Sequence, residues 1–334
     1  MKISASIYSD ARNDLSATIA DLDAHQVDLL HVDCNDNLSV FDDIIALRKI
    51  TGIPVDLHII TPTPSKFYAR LLEVPVEYIT FQLEPLQEPL NWPPALKGSK
   101  GVAITTDTSI DAFEAHENCD FILIMATVPG QSGGTFNKDN FRKIRTFRKR
   151  YPNKSIHVDG GVNGEVSFIL RNMGVSTAVS GSYLFKGPSI GNALMNLTAR
   201  SHDSPYCVED FMIPLEECPV ASTENASTED ILEIIENGKL GFCLVTNREN
   251  HLEGIVSSAD IRKALLRQLK SNTPLTPESL INQQPLTVQA TDSVVELLKL
   301  LKRTYFPVMY LPVVDQNHQA KGIVNFVNLI KGEL

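Results

Sequence analysis

The stretch "LLHVDCNDN", residues 29–37, begins as a buried apolar run and ends in side chains that can do chemistry. The leucines and Val32 suit the interior of a strand. His31 and Asp33 do not, because burying unpaired charge is costly. Imidazole and carboxylate side chains together suit the binding of a divalent cation and the transfer of protons. The strand therefore either emerges into water here or carries a site at its carboxyl end.

Polar residues also end other apolar runs: Ser6 in "KISASI", His58 in "VDLHII" and Asp159 in "SIHVDGG". Each has a purely structural interpretation. His58 would be a core histidine bonded to a carbonyl, Asp159 a turn residue and Asp33 the cap of the next helix. Two histidines and two carboxylates that converge would instead bind zinc, iron or manganese. Their joint occurrence at strand ends favours the metal site.

The elements that must position these residues alternate regularly over the first ~197 residues. Amphipathic stretches such as "LSATIADLDAH" and "FNKDNFRKIRTFRKR" separate eight apolar runs. This order predicts a compact α/β fold, a parallel (β/α)₈ TIM barrel with its site at the carboxyl ends of the strands. The eight runs cover residues 2–7, 27–33, 53–60, 76–83, 101–105, 121–127, 154–162 and 175–182.

Glycine-rich turns follow the last three of these runs, in "VPGQSGG", "DGGV" and "SGS". Glycine lets a backbone approach a ligand closely, and amides in such turns bind anions. Barrels often hold phosphate in the loops after strands 7 and 8. We therefore predict that Gly161, Gly181 and Ser182 contact a substrate phosphate and that Gly133 is a lid contact. Each glycine alone also fits an ordinary turn.

A second region follows the polar segment "TARSHDSPY". We expect a barrel domain over residues 1–200, a linker over 201–207 and a smaller α+β domain over 208–334. Within that last domain "GFCLVTNRENHLEGIVSSADI" is echoed by "LPVVDQNHQAKGIVNFVNLI". The duplication predicts a pseudo-symmetric pair of motifs that pack as one unit.

Composition excludes some classes of partner. The net charge of -10 argues against nucleic-acid binding, which needs clustered Lys and Arg. No apolar run approaches the roughly 20 residues that span a bilayer, so we expect no membrane partner. The five cysteines are odd in number and scattered, which is typical of reduced thiols in a cytoplasmic protein.

The first ~200 residues resemble ribulose-phosphate 3-epimerases. That family's "SxSxL" appears as "SASIY", its "HVDxMDG" as "HVDCNDN" and its "DxHLM" as "DLHII". Its "MxVxPGFGGQ-F" appears as "MATVPGQSGGTF", its "VDGGV" is intact and its "AGSxLF" appears as "SGSYLF". Six motifs occur in the family's order.

The resemblance implies one divalent metal ion per chain, bound by the residues that match the family's ligands, which are His31, Asp33, His58 and Asp159. It implies that Asp33 and Asp159 are also the catalytic acid and base, and that Ser6 and His58 touch the substrate. The implied activity is epimerisation of the carbon next to the ketone of a phosphorylated ketose, through an enediolate.

The sequence also departs from the family. Asn35 and Ile60 replace two of its methionines, whereas Met125 matches the third. The histidine of the family's strand-4 "HxE" is Gln82. The expected substrate is therefore ribulose 5-phosphate or a related sugar phosphate.

Residues from about 208 to 334 resemble a tandem pair of cystathionine-β-synthase-type (CBS) regulatory motifs. The resemblance implies that an adenine nucleotide binds through Gly254, Ser257 and Asp260 of "GIVSSAD". The second copy, "GIVNFVN", has Asn325 and Asn328 instead, so we expect a weak or empty half-site there. The alternative is a dimerisation module without a ligand.

These observations predict a metal-dependent epimerase with a nucleotide-sensing or dimerising module, assembled as a homo-oligomer. One alternative is a non-catalytic sugar-phosphate or nucleotide sensor, or a scaffold, built on the same barrel. Another is isomerase or lyase chemistry on a phosphate ester. A Schiff-base version of that chemistry would need a lysine at a strand end, and the motifs contain none.

Overall fold

The computed structural model describes residues 1–10, 14–129, 133–198, 206–272, 274–304 and 308–326. The described chain forms two compact units, one that ends at residue 198 and one that begins at residue 206. Most of the predicted linker, residues 201–205, lies outside the described residues, as does Asn328 of the second copy. The predicted domain boundaries therefore stay predictions.

Eight parallel strands form a closed barrel in the first unit, in which each strand pairs with the next and the last pairs with the first. Each of the eight apolar runs overlaps one strand, so the predicted barrel is confirmed. The strands are β1 (Lys2–Ser6), β2 (Leu29–Asn35), β3 (Val55–Ile60), β4 (Tyr78–Gln82), β5 (Ser99–Thr105), β6 (Phe121–Met125), β7 (Ser155–Asp159) and β8 (Thr177–Ser180).

Helices follow most of these strands. The barrel departs from strict alternation after β4, where residues 83–98 contain four prolines and form no helix. After β5 the chain forms only a 3-10 helix, Ile110–His116, and a second 3-10 helix covers Ile7–Ser9. The α-helices are α1 (Leu15–Ala24), α2 (Val40–Leu47), α3 (Ser65–Glu73), α4 (Asp139–Arg150), α5 (Gly164–Asn172), α6 (Ser182–Lys186) and α7 (Ile190–Thr198).

The register of the barrel places the polar residues side by side. Successive residues of a strand point to opposite faces, so His31 and Asp33 of β2 share one face, and Leu30 and Val32 share the other. His31 is paired with Asp56 of β3, and Asp33 is paired with His58. The interior of the barrel is therefore strongly polar where β2 and β3 meet.

The second unit contains two small sheets, one of three strands and one of four. A 3-10 helix covers Leu215–Glu217. The strands of the second unit are β9 (Ile213–Pro214), β10 (Val220–Ser222), β11 (Phe242–Thr246), β12 (Leu252–Ser257), β13 (Val288–Gln289), β14 (Tyr310–Val314) and β15 (Ala320–Asn325). They lie in the order β10-β11-β12 in one sheet and β13-β14-β15-β9 in the other. The helices of this unit are α8 (Val208–Phe211), α9 (Thr228–Gly238), α10 (Ser258–Ser271), α11 (Pro277–Leu280) and α12 (Val294–Lys302).

The predicted duplication is visible in the strand pairing. Phe242 pairs with Ser257 in the first copy, and Tyr310 pairs with Asn325 at the same offset in the second. The two copies also meet through equivalent residues, because the amide of Leu252 donates to the His318 carbonyl and the amide of Ala320 donates to the Asn250 carbonyl. These matched bonds define a pseudo-two-fold axis within the unit.

Within the described residues, no helix has both the length and the apolar character required to cross a membrane.

Candidate metal centre

Four side chains converge at the carboxyl ends of β2, β3 and β7. His31, Asp33, His58 and Asp159 each offer one nitrogen or oxygen atom, and these four atoms all lie within 4.8 Å of one another. The strand-end residues singled out in the sequence are thus neighbours in space. The histidines are fully buried, whereas the carboxylates are partly exposed, so the cluster opens towards the mouth of the barrel.

The chemistry of the donors fits a divalent cation. His31 Nε2 lies 3.3 Å from Asp33 Oδ1 and 3.7 Å from Asp159 Oδ2, but it forms no hydrogen bond within the described chain. A buried polar atom without a partner is unusual, and it marks a place that a ligand would complete. Two imidazoles and two carboxylates are a ligand set for zinc, iron or manganese.

A second layer of polar groups fixes the two imidazole rings. His31 Nδ1 is 2.9 Å from Asp56 Oδ2, which also accepts from Ser4 Oγ at 2.9 Å. His58 Nε2 is 2.9 Å from Gln82 Oε1, and the Gln82 amide nitrogen donates to Glu84. Each ring therefore has one nitrogen engaged outside the cluster and one nitrogen facing it.

The charges around His31 shift several pKa values. Burial disfavours an imidazolium, but the Asp33 and Asp56 carboxylates outweigh burial and hold the pKa of His31 well above its usual value. Against the effect of burial, His31 and His58 hold the pKa of Asp33 well below its usual value. Burial, reinforced by the nearby Asp33, raises the pKa of Asp159 to about 6. The four groups therefore influence one another's protonation, as closely spaced ionisable groups do.

Of the residues predicted to contact substrate, Ser6 and His58 lie in β1 and β3, and the others lie in or just after the loops at the carboxyl ends of later strands. Ser6 Oγ is 3.0 Å from Ser9 Oγ. A Cβ atom placed on Gly181 would collide with the Ser9 side chain and lie 3.3 Å from Ser6 Cβ. The loops after β1 and β8 are thus packed together, and Ser182 begins α6 immediately afterwards.

Gly161 and Gly133 have structural roles of their own. Gly161 has a φ of +65°, and a Cβ atom there would collide with the backbone of Phe136, so only glycine fits. Gly133 has a φ of +91°, and a Cβ atom there would lie 3.8 Å from Lys186 Nζ. The loop after β6 thus lies close to a cationic side chain at the end of α6.

Three residues of this region were not selected as site residues from the sequence. Asp56 could have been found, because it lies two positions before His58 in "DLH" and thus on the same face of the strand. Gln82 is marked in the sequence only as a departure from a family pattern. Lys186 carries no local sequence signal.

In the second unit, Ser257 and Asp260 lie together at the start of α10. The hydroxyl and the amide of Ser257 both donate to Asp260 Oδ2, at 2.5 and 3.1 Å. The two residues form a capping box, so they have a structural role whether or not a nucleotide binds. Gly254 lies against the side chain of Ile281 and the backbone of Asn282, where a Cβ atom would be 2.6 Å from the Asn282 carbonyl oxygen.

Comparison with known proteins decides the family. The model of the "Ribulose-phosphate 3 epimerase family" matches residues 2–185, which is more than half of the chain. The chain belongs to this family. The predicted resemblance and the prediction of an epimerase-like isomerase are confirmed at the level of the family.

Similar curated proteins carry the same name. The cytoplasmic isoform of ribulose-phosphate 3-epimerase from Oryza sativa is 27% identical over 212 residues, which cover 59% of this chain and 92% of that protein. Ribulose-phosphate 3-epimerase from Methanocaldococcus jannaschii is 31% identical over 212 residues, covering 59% of this chain and 89% of that protein.

Residues 208–267 and 278–333 match the CBS domain, so the second unit is a CBS pair, as the internal repeat and the resemblance predict. Two solved structures similar to this part are CBSX2 in complex with AMP and CBSX2 from Arabidopsis thaliana, at 29% and 26% identity. The match to the AMP complex covers 38% of this chain and 96% of that chain, with a TM-score of 0.33. The match to the Arabidopsis thaliana structure covers 39% of this chain and 95% of that chain, with a TM-score of 0.31.

Proposed function

We propose that this chain is a metal-dependent epimerase that inverts the carbon next to the ketone of a phosphorylated ketose, either ribulose 5-phosphate or a related sugar phosphate. The observation that carries the proposal is the cluster of four ligand-type atoms within 4.8 Å of one another. The buried Nε2 of His31, which has no hydrogen-bond partner within the described residues, supports a cation at this position.

One divalent ion, zinc, iron or manganese, would be held by His31, Asp33, His58 and Asp159. When bound, it supplies positive charge that stabilises negative charge on the substrate oxygens. The two carboxyls do the proton transfer, since inversion requires one face of the carbon to lose a proton and the other to gain one. Their surroundings support this division, because the pKa of Asp33 is lowered and that of Asp159 is raised to about 6.

The substrate's phosphate would lie over the glycine-containing loops, in contact with Gly161, Gly181 and Ser182, with Gly133 as a lid contact. Ser6 and His58 would contact the sugar. The close packing of the loops after β1 and β8 supports this assignment, since it gathers small residues and backbone amides at one edge of the mouth. Lys186, beside Gly133, adds a positive charge near the same loops.

The alternative of a non-catalytic sensor or scaffold has less support. Asp56, His31 and His58 are almost fully buried. The Asp56 carboxylate on one side of the His31 ring and the Asp33 and Asp159 carboxylates on the other cost free energy of folding. A barrel that had lost its chemistry would be more stable with apolar residues at these positions.

Hydrogen exchange tests the proposed activity. The full chain is incubated in deuterated water with a panel of ketose phosphates, and deuterium at the carbon next to the ketone is followed by NMR. The proposal predicts incorporation together with formation of the epimer for at least one sugar. Binding of these sugars without exchange would favour the sensor.

For the second unit we propose binding of an adenine nucleotide through Gly254, Ser257 and Asp260. A ligand that binds only the folded state at about a hundredfold excess over its dissociation constant adds about 2.7 kcal/mol of stability. ATP, ADP or AMP should therefore raise the melting temperature of this unit. No shift with any nucleotide would favour the dimerising role. We also propose that the chain forms a homo-oligomer. We propose a cytoplasmic location as well, which the five free thiols support.

A further inference from the structure

Asp56 lies directly behind His31, on the side of the ring opposite the cluster. The two residues are paired across β2 and β3, and Asp56 Oδ2 is 2.9 Å from His31 Nδ1. Asp56 is 2% exposed and His31 is fully buried, so water does not compete for this bond. Asp56 is not one of the four clustered residues, and neither the metal nor the proton transfer proposed above uses it.

A neutral imidazole carries a proton on one nitrogen and a lone pair on the other. A carboxylate beside Nδ1 keeps the proton there and leaves the lone pair on Nε2, which is the nitrogen that faces Asp33 and Asp159. We infer that Asp56 is the positioning residue of the centre, which holds His31 in the tautomer and orientation that direct Nε2 at the cation. This inference rests on the proposed metal-dependent function.

The surroundings of Asp56 support this role. Its Oδ2 accepts from Ser4 Oγ as well as from His31 Nδ1, so the carboxylate is held by two neighbouring strands. Both contacts are buried, so the carboxylate receives two hydrogen bonds that favour its ionised form. The carboxylate therefore remains an anionic acceptor, which forms a stronger hydrogen bond than a neutral one.

His58 provides an internal comparison. The group behind its ring is the neutral side-chain amide of Gln82, at the same distance of 2.9 Å. The two imidazoles of one cluster thus have acceptors of different charge. An anionic acceptor makes the opposite ring nitrogen a better electron-pair donor. His31 is therefore the stronger of the two nitrogen ligands, and the loss of its acceptor should weaken metal binding most.

The test compares Asp56→Asn with the matched control Asp28→Asn. Asparagine at position 56 keeps the size and an acceptor oxygen but removes the charge. The Asp28 carboxylate accepts from the backbone amide of Ile3 on β1, just as Asp56 accepts from Ser4 on the same strand. Asp28 does not belong to the cluster. The dissociation constant for Zn²⁺ is measured on metal-stripped full-length chains by competition with a chromophoric chelator. We expect Asp56→Asn to bind Zn²⁺ about 10- to 100-fold more weakly and Asp28→Asn to bind it like the wild type.

A second readout uses the wild type alone and does not require the variant to fold. Nitrogen-15 NMR of the zinc-loaded chain should place the remaining ring proton of His31 on Nδ1. A proton on Nε2 would overturn the inference, and so would a folded Asp56→Asn chain whose Zn²⁺ affinity is unchanged. If zinc-loaded wild type turns over substrate while Asp56→Asn binds zinc normally, only the inference fails. If wild type binds none of Zn²⁺, Fe²⁺ and Mn²⁺, the proposed metal function fails with it.

Discussion

Asp33 and Asp159 carry the same functional group in different surroundings. Asp33 lies between two imidazoles, 3.3 Å from a ring nitrogen of each, so its negative charge is compensated. Asp159 is 3.7 Å from His31 and bears the repulsion of Asp33 in addition to burial. One carboxyl is thus biased towards losing its proton and the other towards keeping it, which fits the proton transfer that we propose for the two carboxyls.

Replacing Asp159 by asparagine should remove one proton carrier. We expect Asp159→Asn to lower both turnover and deuterium exchange by about 10²- to 10⁴-fold. The variant should still fold, because the backbone carbonyl of Asp159 keeps its bond from the Ala126 amide. Asp139→Asn, on the exposed first turn of α4, is the control and should be fully active. A folded Asp159→Asn chain with near-normal turnover would exclude Asp159 as a proton carrier.

The raised pKa of Asp159 also predicts how metal affinity depends on pH. A carboxyl group binds a cation only after losing its proton, so affinity should be lost as the pH falls through about 6. Below that value the Zn²⁺ dissociation constant should rise about tenfold per pH unit, and more steeply if His31 also has to lose a proton. Competition titrations between pH 5 and pH 8, with melting curves to verify folding, measure this. Equal affinity at pH 5 and pH 7 would contradict the assignment of Asp159 as a ligand.

Strand β4 contributes no residue to the four-residue cluster, but it positions one of the four side chains. Gln82 fixes the ring of His58 and is itself held by Glu84. Gln82→Leu would leave His58 Nε2 without an acceptor, so we expect Zn²⁺ affinity to fall about tenfold. Thr80→Val is the control on the same strand, because the Thr80 hydroxyl has no hydrogen-bond partner in the described part of the chain. If both variants bind zinc equally well, Gln82 does not position His58.

The start of α10 requires a test that separates capping from ligand binding. Asp260→Ala should lower stability by about 1 kcal/mol through loss of the cap alone. Glu296→Ala removes the same kind of capping box from α12, where Ser293 and Glu296 bond each other. We expect both variants to melt lower, but only Asp260→Ala to lose the increase in melting temperature caused by nucleotide. A nucleotide shift that persists in Asp260→Ala would remove Asp260 from the binding site.

The sequence predicts some elements better than others, for physical reasons. The strands of the barrel are predictable because each is a short apolar run bounded by turn residues. Helix α3 was not singled out, although Phe67 and Leu71 have helical spacing and are buried. The absence of a helix after β4 follows from the four prolines of residues 83–98, which outweigh the expected alternation.

The candidate site likewise contains residues that the sequence predicts and residues that it does not. His31, Asp33, His58 and Asp159 were identifiable because each ends an apolar run. The roles of Asp56 and Gln82 depend on the register between β2 and β3 and on side-chain reach from β4, which residue spacing does not specify. Ser257 and Asp260 are identifiable from "GIVSSAD", but their mutual capping bonds at the start of α10 are a feature of the folded chain.

At the scale of the whole molecule, an epimerase-family barrel and a CBS pair occur in one chain. The net charge of -10 falls on a protein whose proposed ligands, a sugar phosphate and a nucleotide, are both anions. Local positive charge therefore has to come from specific groups: the cation proposed at the barrel mouth, Lys186 beside the loop after β6, and Arg262 and Lys263 near the start of α10.

The most direct measurement is deuterium exchange at the carbon next to the ketone of ribulose 5-phosphate and of related ketose phosphates. The chain is first stripped of metal and assayed, and it is then assayed again after reloading with zinc, iron or manganese. Metal-dependent epimerisation predicts negligible exchange without metal and restored exchange and epimerisation with at least one of these ions, provided that Asp159 is intact. Full exchange by metal-free protein, or none with any ion and any of these sugars, would contradict it.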